Sequence, residues 1–128
     1  MLFRSPEITI EGDRQYLLQM LSNLIENGIK YTGGEDRRVK VETGQMKDSV
    51  WVRVSDNGVG IPLEHLPHLF ERFYRVDKAR TRDTGDHPSG SGLGLSIVQR
   101  IAQAHNAEVR VESEAGRGTT FEVKFKIY

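Results

Sequence analysis

The sequence predicts an α+β domain, a two-layer sandwich in which one sheet is covered on one face by about three helices. Two segments, about 13–30 and about 91–105, carry apolar residues at helical spacing. Five shorter segments alternate apolar and polar residues, as strands with one buried face do. Several of these strands are joined by short turns, so the sheet is expected to be mixed but mostly antiparallel.

Composition excludes several classes of protein. The 128 residues suit one domain, 1–128, and Lys plus Arg balance Asp plus Glu at 18 each. Without a basic excess, a nucleic-acid partner is not expected. Without cysteine, disulfides and thiolate metal sites are excluded. No apolar run reaches the ~18 residues of a membrane span, so the chain is expected to be soluble, cytoplasmic and monomeric, or a piece of a membrane-anchored protein.

The first elements are a short strand and a long helix. Ile8 to Glu11 alternates like a strand, and Asp13 is a good N-cap for a helix that runs to about Lys30. At 100° per residue one broad apolar stripe forms on this helix, which is expected to face the core. Its members are Leu17, Leu18, Leu21, Leu24, Ile25 and Ile29.

A second line of side chains runs beside that stripe at helical spacing. It combines polar and aromatic residues: Tyr16, Met20, Asn23, Asn27 and Tyr31, with Lys30 adjoining. Asparagine is a mediocre residue for a helix interior, so a pair on one face suggests that the helix borders a pocket. The alternative is that both asparagines are simply solvated.

The middle of the chain predicts a hairpin, a turn and a loop. Segments 39–42 and 50–54 are expected to pair as antiparallel strands, and 55–62 forms a glycine turn after the second. Residues 63–73 predict short helical turns interrupted at Pro67. The polar stretch of about 74–90 has no apolar rhythm, and so long a loop in a small domain is usually functional, commonly a lid.

Three glycines at alternate positions, Gly90, Gly92 and Gly94, precede the second long helix. Such a loop lets a ligand approach the main chain, and the N–H groups at the helix start suit a phosphate. A dinucleotide fingerprint would need glycine at Leu95, and no P-loop Gly-Lys-Ser/Thr is present. Segments 108–113 and 119–125 are then expected to form a hairpin around 115–118.

Taken in order, these motifs resemble those of the ATP-binding catalytic domain of bacterial sensor histidine kinases. That domain has the Bergerat (GHKL) fold, shared with DNA gyrase, MutL-type repair proteins and heat-shock chaperone ATPases. The resemblance extends from Ile8 over nearly the whole chain. Its boxes are the asparagine box Asn23–Thr32, the first glycine box Asp56–Pro62, the phenylalanine box Leu69–Asp77, the second glycine box Gly90–Val98 and the closing strand motif Gly116–Phe121.

The resemblance implies roles for the polar residues of the first helix and turn. Asn27 would give its side-chain oxygen to Mg²⁺, which prefers hard oxygen ligands. Asn23 would lie near the phosphates or a metal-bound water. Asp56 would accept a hydrogen bond from the adenine amino group, although an aspartate before Asn-Gly also initiates turns without any ligand.

The remaining site residues follow from the same resemblance. Gly58 and Gly60 would let the backbone pass close to the base, beside Ile61 and Tyr31 as apolar and stacking surface. Lys30 and Arg75 would neutralise phosphate charge, unless they are ordinary solvated cations. The loop Gly90, Ser91, Gly92, Leu93, Gly94 and Leu95 would hold the terminal phosphates, the amides of Gly92 to Gly94 above all, and Thr119 is a further candidate for the adenine edge.

The resemblance also selects the reaction. In ATPases of this fold a glutamate that activates water stands where this chain has Asn23, which cannot act as a base. MgATP would therefore donate its γ-phosphate to a histidine on a separate dimerisation domain, and from there indirectly to a response regulator. The four histidines of this chain lack the phosphoacceptor motif. An anti-sigma-factor type serine kinase and a nucleotide-dependent docking module remain alternatives. Gly28 replaces the family's usual alanine, at an expected cost of roughly 0.5–1 kcal/mol of helix stability.

Overall fold

The computed structural model describes residues 9–31, 36–74 and 94–127. The elements follow the predicted order. They are helix α1 (Arg14–Tyr31), strands β1 (Val39–Gln45) and β2 (Ser49–Asp56), a 3-10 helix (Leu63–His68), helix α2 (Gly94–Ala104) and strands β3 (Ala107–Glu114) and β4 (Gly118–Lys126). None of the helices within these residues is long and apolar enough to cross a membrane.

The start of α1 has the predicted cap. Asp13 Oδ1 accepts hydrogen bonds from the N–H groups of Gln15 at 3.0 Å and Tyr16 at 3.2 Å, which satisfies two of the donors that a helix start leaves free. The strand predicted just before it is wrong for the described residues Thr9 to Glu11, which have no strand pairing. Ile10 instead packs directly against the core, which accounts for its apolar character.

The apolar stripe predicted on α1 is rotated in the structure. Leu24 is buried as expected, but Leu18 and Ile29 are 52% and 53% exposed, whereas Met20 is 1% exposed. The helix packs against both α2 and the sheet, so its buried side is centred on Met20 and Leu24. The side of α1 opposite these contacts carries Leu18 and Ile29. Met20, which belongs to the line of polar and aromatic residues predicted to border a pocket, therefore lies in the core instead.

The described strands form one four-stranded sheet in the order β1-β2-β4-β3, and every neighbouring pair is antiparallel. The last strand along the chain, β4, thus lies between β2 and β3. Alternate residues of β2 and β4 point towards the helices and are buried; these are Val50, Val52, Val54, Phe121, Val123 and Phe125. This confirms the predicted α+β class with helices on one face.

The opposite face of the sheet is polar. Arg53 lies 4.0 Å from the centre of the Trp51 ring and forms an ion pair of 2.6 Å with Glu122 on the neighbouring strand. On the same face, Thr120 Oγ1 and Ser55 Oγ form a hydroxyl pair at 3.0 Å. This face therefore has the composition of a solvated surface.

His105 joins the two helices. It follows α2, and its Nδ1 lies 2.8 Å from the carbonyl oxygen of Ile101, while its Nε2 accepts a hydrogen bond from the N–H of Asp13 at 3.0 Å. Because Nε2 is an acceptor here, the ring is neutral and carries its hydrogen on Nδ1. The start of α1 is thereby fixed to the end of α2.

Candidate functional site

A row of three polar side chains crosses the end of the sheet. Asp56 on β2 is opposite Thr119 on β4, and Thr119 is opposite Ser113 on β3. Residues opposite each other on neighbouring strands point to the same face, and here it is the face that the helices cover. The next row inward is apolar and consists of Val54, Phe121 and Val111. The polar row therefore caps one end of the core.

Asp56 is held as an ionisable acceptor at the start of the glycine turn. Its Oδ1 accepts a hydrogen bond from the N–H of Gly58 at 2.9 Å. Burial raises the pKa of Asp56, and hydrogen bonds from the N–H groups of Gly58 and Thr119 oppose that rise. A carboxylate has about four acceptor positions, so two remain after these bonds. The turn-forming role of Asp56 is thus realised, and it is compatible with a ligand role.

Two glycines allow the Asp56 turn to lie against the turn between β3 and β4. Gly60 has φ +78°, and a Cβ atom there would lie 2.4 Å from the carbonyl oxygen of Glu114. Gly118 has φ +120°, and a Cβ atom there would lie 1.9 Å from the carbonyl oxygen of Asp56. The N–H of Gly116 also donates to the carbonyl oxygen of Val59 at 2.9 Å. Gly60 is therefore required by a backbone contact within the chain, and the predicted approach of Gly60 to a base stays a prediction.

Asn57 clamps the other side of this turn. Its Oδ1 accepts a hydrogen bond from the N–H of Arg38 at 2.8 Å, and its Nδ2 donates to the carbonyl oxygen of Asp36. The backbone N–H of Asn57 donates to the carbonyl oxygen of Arg38 at 3.3 Å. The segment before β1 is thereby attached to the residue that follows Asp56. Sequence reasoning did not single out this clamp, because it depends on a partner 19 positions away.

Helix α1 contacts this turn through Gly28, the neighbour of Asn27 in the chain. A Cβ atom on Gly28 would lie 3.6 Å from the Cβ of Asp56 and 3.2 Å from a methyl carbon of Val39. Gly28 thus occupies a position where α1 and the sheet meet closely, next to the half-buried Asn27. Five residues earlier, Asn23 Nδ2 donates to the carbonyl oxygen of Gly94 at 3.3 Å, at the start of α2.

These two contacts define the ends of the candidate site. Five residues along a helix correspond to roughly 7.5 Å, so α1 separates the Asp56 end from the Gly94 end by about that distance. Asn23 and Asn27 are one helical turn apart and lie on the same side of α1. The structure therefore brings the asparagine box into contact with the first glycine box, through Gly28 and Asp56, and with the second glycine box, through Asn23 and Gly94.

The other predicted site residues differ in burial, and some of them lie outside the described residues. Lys30 is half-buried in the last turn of α1, Gly58 and Ile61 are buried, and Leu95 packs partly against the core. Ile61 thus contributes to the core, and its predicted contact with a base stays a prediction. Tyr31 is described only as the last residue of α1. Arg75, Gly90, Ser91, Gly92 and Leu93, with all but Tyr74 of the predicted lid, lie outside the described residues.

A separate groove of about 410 Å³ lies between α1 and α2, with Tyr16, Ile97, Arg100 and His105 among its lining residues. It contains none of the predicted site residues. Within residues 9–31, 36–74 and 94–127, no three His, Asp or Glu side chains come together as a metal site.

Sequence models of protein families identify one match over nearly the whole chain. Residues 12–128 match the family described as histidine kinase-, DNA gyrase B- and HSP90-like ATPase. The chain is similar to the sensor histidine kinase YkoH of Bacillus subtilis, with 42% identity over 118 residues, which are 92% of this chain and 24% of YkoH. It is also similar to the sensor protein kinase WalK of Staphylococcus haemolyticus, with 41% identity over 91% of this chain and 19% of WalK.

Solved structures with the same fold include a sensor histidine kinase. The mycobacterial sensor histidine kinase MprB has a TM-score of 0.76 and 29% identity, over 90% of this chain and 74% of that one. Full-length ShkA in complex with AMPPNP has a TM-score of 0.78 and 31% identity, over 97% of this chain and 24% of that one. The chain thus spans about a fifth to a quarter of the length of YkoH and WalK.

Proposed function

Since the chain belongs to the family of histidine kinase-, DNA gyrase B- and HSP90-like ATPases, we propose that it is the MgATP-binding catalytic part of a sensor histidine kinase. The observation that carries this proposal is that α1 contacts both ends of the candidate site, with Gly28 next to Asp56 and Asn23 bonded to Gly94 at the start of α2. The sensor-kinase names of the relatives favour it over a serine kinase or a docking module.

The Asp56 end would hold the adenine. The two remaining acceptor positions of its carboxylate suit the exocyclic amino group of adenine, which is a hydrogen-bond donor. Guanine has a carbonyl oxygen at the equivalent position, and two acceptors facing each other repel. Thr119 lies opposite Asp56 on the neighbouring strand and points to the same face, so its hydroxyl would read the same edge of the base. Adenine nucleotides are therefore the proposed ligands.

The Gly94 end would hold the phosphates. ShkA was crystallised in complex with AMPPNP, an ATP analogue, which supports a nucleoside triphosphate as the ligand. Asn27 fits Mg²⁺ as a half-buried amide whose oxygen is a hard ligand, with phosphates and waters completing the shell. Bound Mg²⁺ would neutralise phosphate charge. Lys30 would add positive charge, and Arg75 and the amides of Gly92 and Leu93 stay predictions outside the described residues.

The reaction would be phosphoryl transfer rather than hydrolysis. Asn23 has no basic group, and its side-chain nitrogen is engaged with Gly94, so it would position rather than deprotonate. The acceptor would be a histidine on the dimerisation domain of the parent protein, and a response regulator would receive the phosphate afterwards. Catalysis of this kind depends on positioning and charge neutralisation.

The proposal is tested with the purified chain, by calorimetry and by labelling. We expect MgATP and MgADP to bind with micromolar affinity, corresponding to about −8 kcal/mol. We expect Asn27→Ala to lose the dependence of that affinity on Mg²⁺. With γ-labelled ATP, the chain alone should neither label itself nor release phosphate rapidly. Absence of adenine-nucleotide binding, or rapid hydrolysis, would overturn the proposal, and acid-labile self-labelling would show that the acceptor lies in this chain.

The ionisation of Asp56 provides a further test. Its carboxyl-carbon chemical shift in the free chain should titrate above the usual pKa of aspartate, which is about 3.9, because burial penalises the charged form. Bound adenine would donate to the ionised form, so MgADP should lower the pKa of Asp56. Affinity should accordingly fall as the pH decreases through the raised pKa.

Asp36 is the internal comparison for this titration. The hydrogen bond and charge of Arg38 lower the pKa of Asp36, which is exposed, and MgADP should leave its titration unchanged. A pKa of Asp56 that does not respond to MgADP would place the base elsewhere.

A further inference from the structure

Ser113 connects three segments at the end of the polar row. Its Oγ accepts a hydrogen bond from the N–H of Ile61 at 2.6 Å. It also lies 3.1 Å from the carbonyl oxygen of Gly118 and 2.9 Å from Thr119 Oγ1. One hydroxyl thus contacts the segment after the Asp56 turn, the beginning of β4 and a residue that faces the candidate base site.

The hydrogen atoms of this cluster can be assigned by counting. A serine hydroxyl has one hydrogen and two acceptor lone pairs. The N–H of Ile61 uses one lone pair, and the carbonyl oxygen of Gly118 can only accept, so it takes the Ser113 hydrogen. The second lone pair is then left for the hydroxyl hydrogen of Thr119. In this arrangement every hydrogen-bonding position of Ser113 Oγ is used.

This assignment determines what Thr119 offers to a ligand. Because its hydrogen points to Ser113, Thr119 Oγ1 has only lone pairs available. The neighbouring Asp56 carboxylate is also an acceptor, so both of these side chains accept hydrogen bonds at this end of the candidate site. Such a surface suits a purine with an amino group at position 6 and disfavours one with a carbonyl group there.

We propose that Ser113 is a positioning residue that makes the site selective for a 6-aminopurine, by holding the Thr119 hydroxyl as an acceptor and the Ile61 backbone in place. The inference rests on the proposed nucleotide-binding function. It adds to that function a residue that need not touch the nucleotide. The sequence carries a signal for this residue, since Ser113 is the polar end of the inward row Ala107, Val109, Val111.

The test compares MgADP with MgIDP, because hypoxanthine differs from adenine only in carrying a carbonyl group at position 6 and a hydrogen on N1. Dissociation constants of both are measured by calorimetry for the wild-type chain and Ser113→Ala. In the variant, the Thr119 hydroxyl is free to donate to the carbonyl group. We therefore expect the preference for MgADP over MgIDP to fall by about fivefold or more, the worth of one hydrogen bond.

Matched variants separate positioning from general damage. Ser55→Ala removes a hydroxyl from the other face of the sheet, where Ser55 pairs with Thr120, and should keep the wild-type preference. Ser113→Thr keeps a hydroxyl at this position and should also keep the wild-type preference for MgADP over MgIDP. In a Thr119→Val background, Ser113→Ala should have no further effect on the ratio, because the hydroxyl it controls is absent.

Each outcome is decisive. An unchanged MgADP to MgIDP ratio in folded Ser113→Ala, with both affinities reduced equally, would overturn the proposal and leave a structural role. If Ser113→Ala does not fold, Thr119→Val is measured instead, and a wild-type ratio of MgADP to MgIDP affinity in that variant would overturn the proposal. A wild-type chain that binds neither nucleotide would contradict the proposed function itself, which is a different result.

Discussion

The Asp56→Ala variant is expected to bind MgADP at least about 100-fold more weakly than the wild-type chain, a loss of about 2.7 kcal/mol. Its carboxylate is the ionised acceptor of the polar row, and a hydrogen bond to a charged group contributes roughly 1.5–3 kcal/mol. The substitution also removes the acceptor for the N–H of Gly58, so the turn itself loses a contact. Calorimetry on the folded variant measures the effect.

The matched control for that variant is Asp36→Ala. Asp36 belongs to the segment that Asn57 clamps, but its side chain is 80% exposed and pairs with Arg38 on the surface. Surface ion pairs contribute little, so its MgADP affinity should stay within about twofold of wild type. Equal affinities for Asp56→Ala and the wild-type chain would show that the base does not bind at Asp56.

The Gly118→Ala variant is expected to lose about 3 kcal/mol or more of unfolding free energy. The added Cβ would lie 1.9 Å from the carbonyl oxygen of Asp56 and 3.0 Å from the Cα of Asn57, both backbone atoms. Relief would require moving the first glycine box away from β4, and a φ of +120° is itself strained for alanine. Urea unfolding measures the loss.

Gly116 in the same turn provides the comparison for Gly118. Its φ is +83°, but a Cβ atom there would meet no other atom within 4 Å. Gly116→Ala should therefore cost only the backbone strain, roughly 1–2 kcal/mol. Similar losses in the two variants would mean that the close approach of β4 to Asp56 has no energetic importance.

Local patterns predicted most of the fold. Asp13 was predicted as an N-cap because the capping interaction is confined to neighbouring residues, and the strand positions followed from alternation. The prediction of which side of α1 is buried was less accurate. Leu18 and Ile29 lie within helical spacing of the core residues, but the orientation of the helix is set by its contacts with both α2 and the sheet.

The candidate site was predictable as a set of motifs but not as a geometry. The asparagine and glycine boxes are recognisable in sequence, and the structure brings Asn23 to Gly94 and Gly28 to Asp56. Ser113 and Asn57 were not singled out, because their importance depends on strand register and on distant partners. Interactions of this kind join residues far apart in the chain and leave only a faint trace in local composition.

The central position of β4 has a consequence for when the proposed nucleotide site can form during synthesis. Gly118 to Lys126 is made after every other described element, yet both β2 and β3 hydrogen-bond to it. A chain still emerging from the ribosome without these residues has neither a continuous sheet nor Thr119 beside Asp56. Under the proposed function, nascent chains should bind nucleotide only once β4 has left the exit tunnel, and a chain truncated before this strand should not bind it.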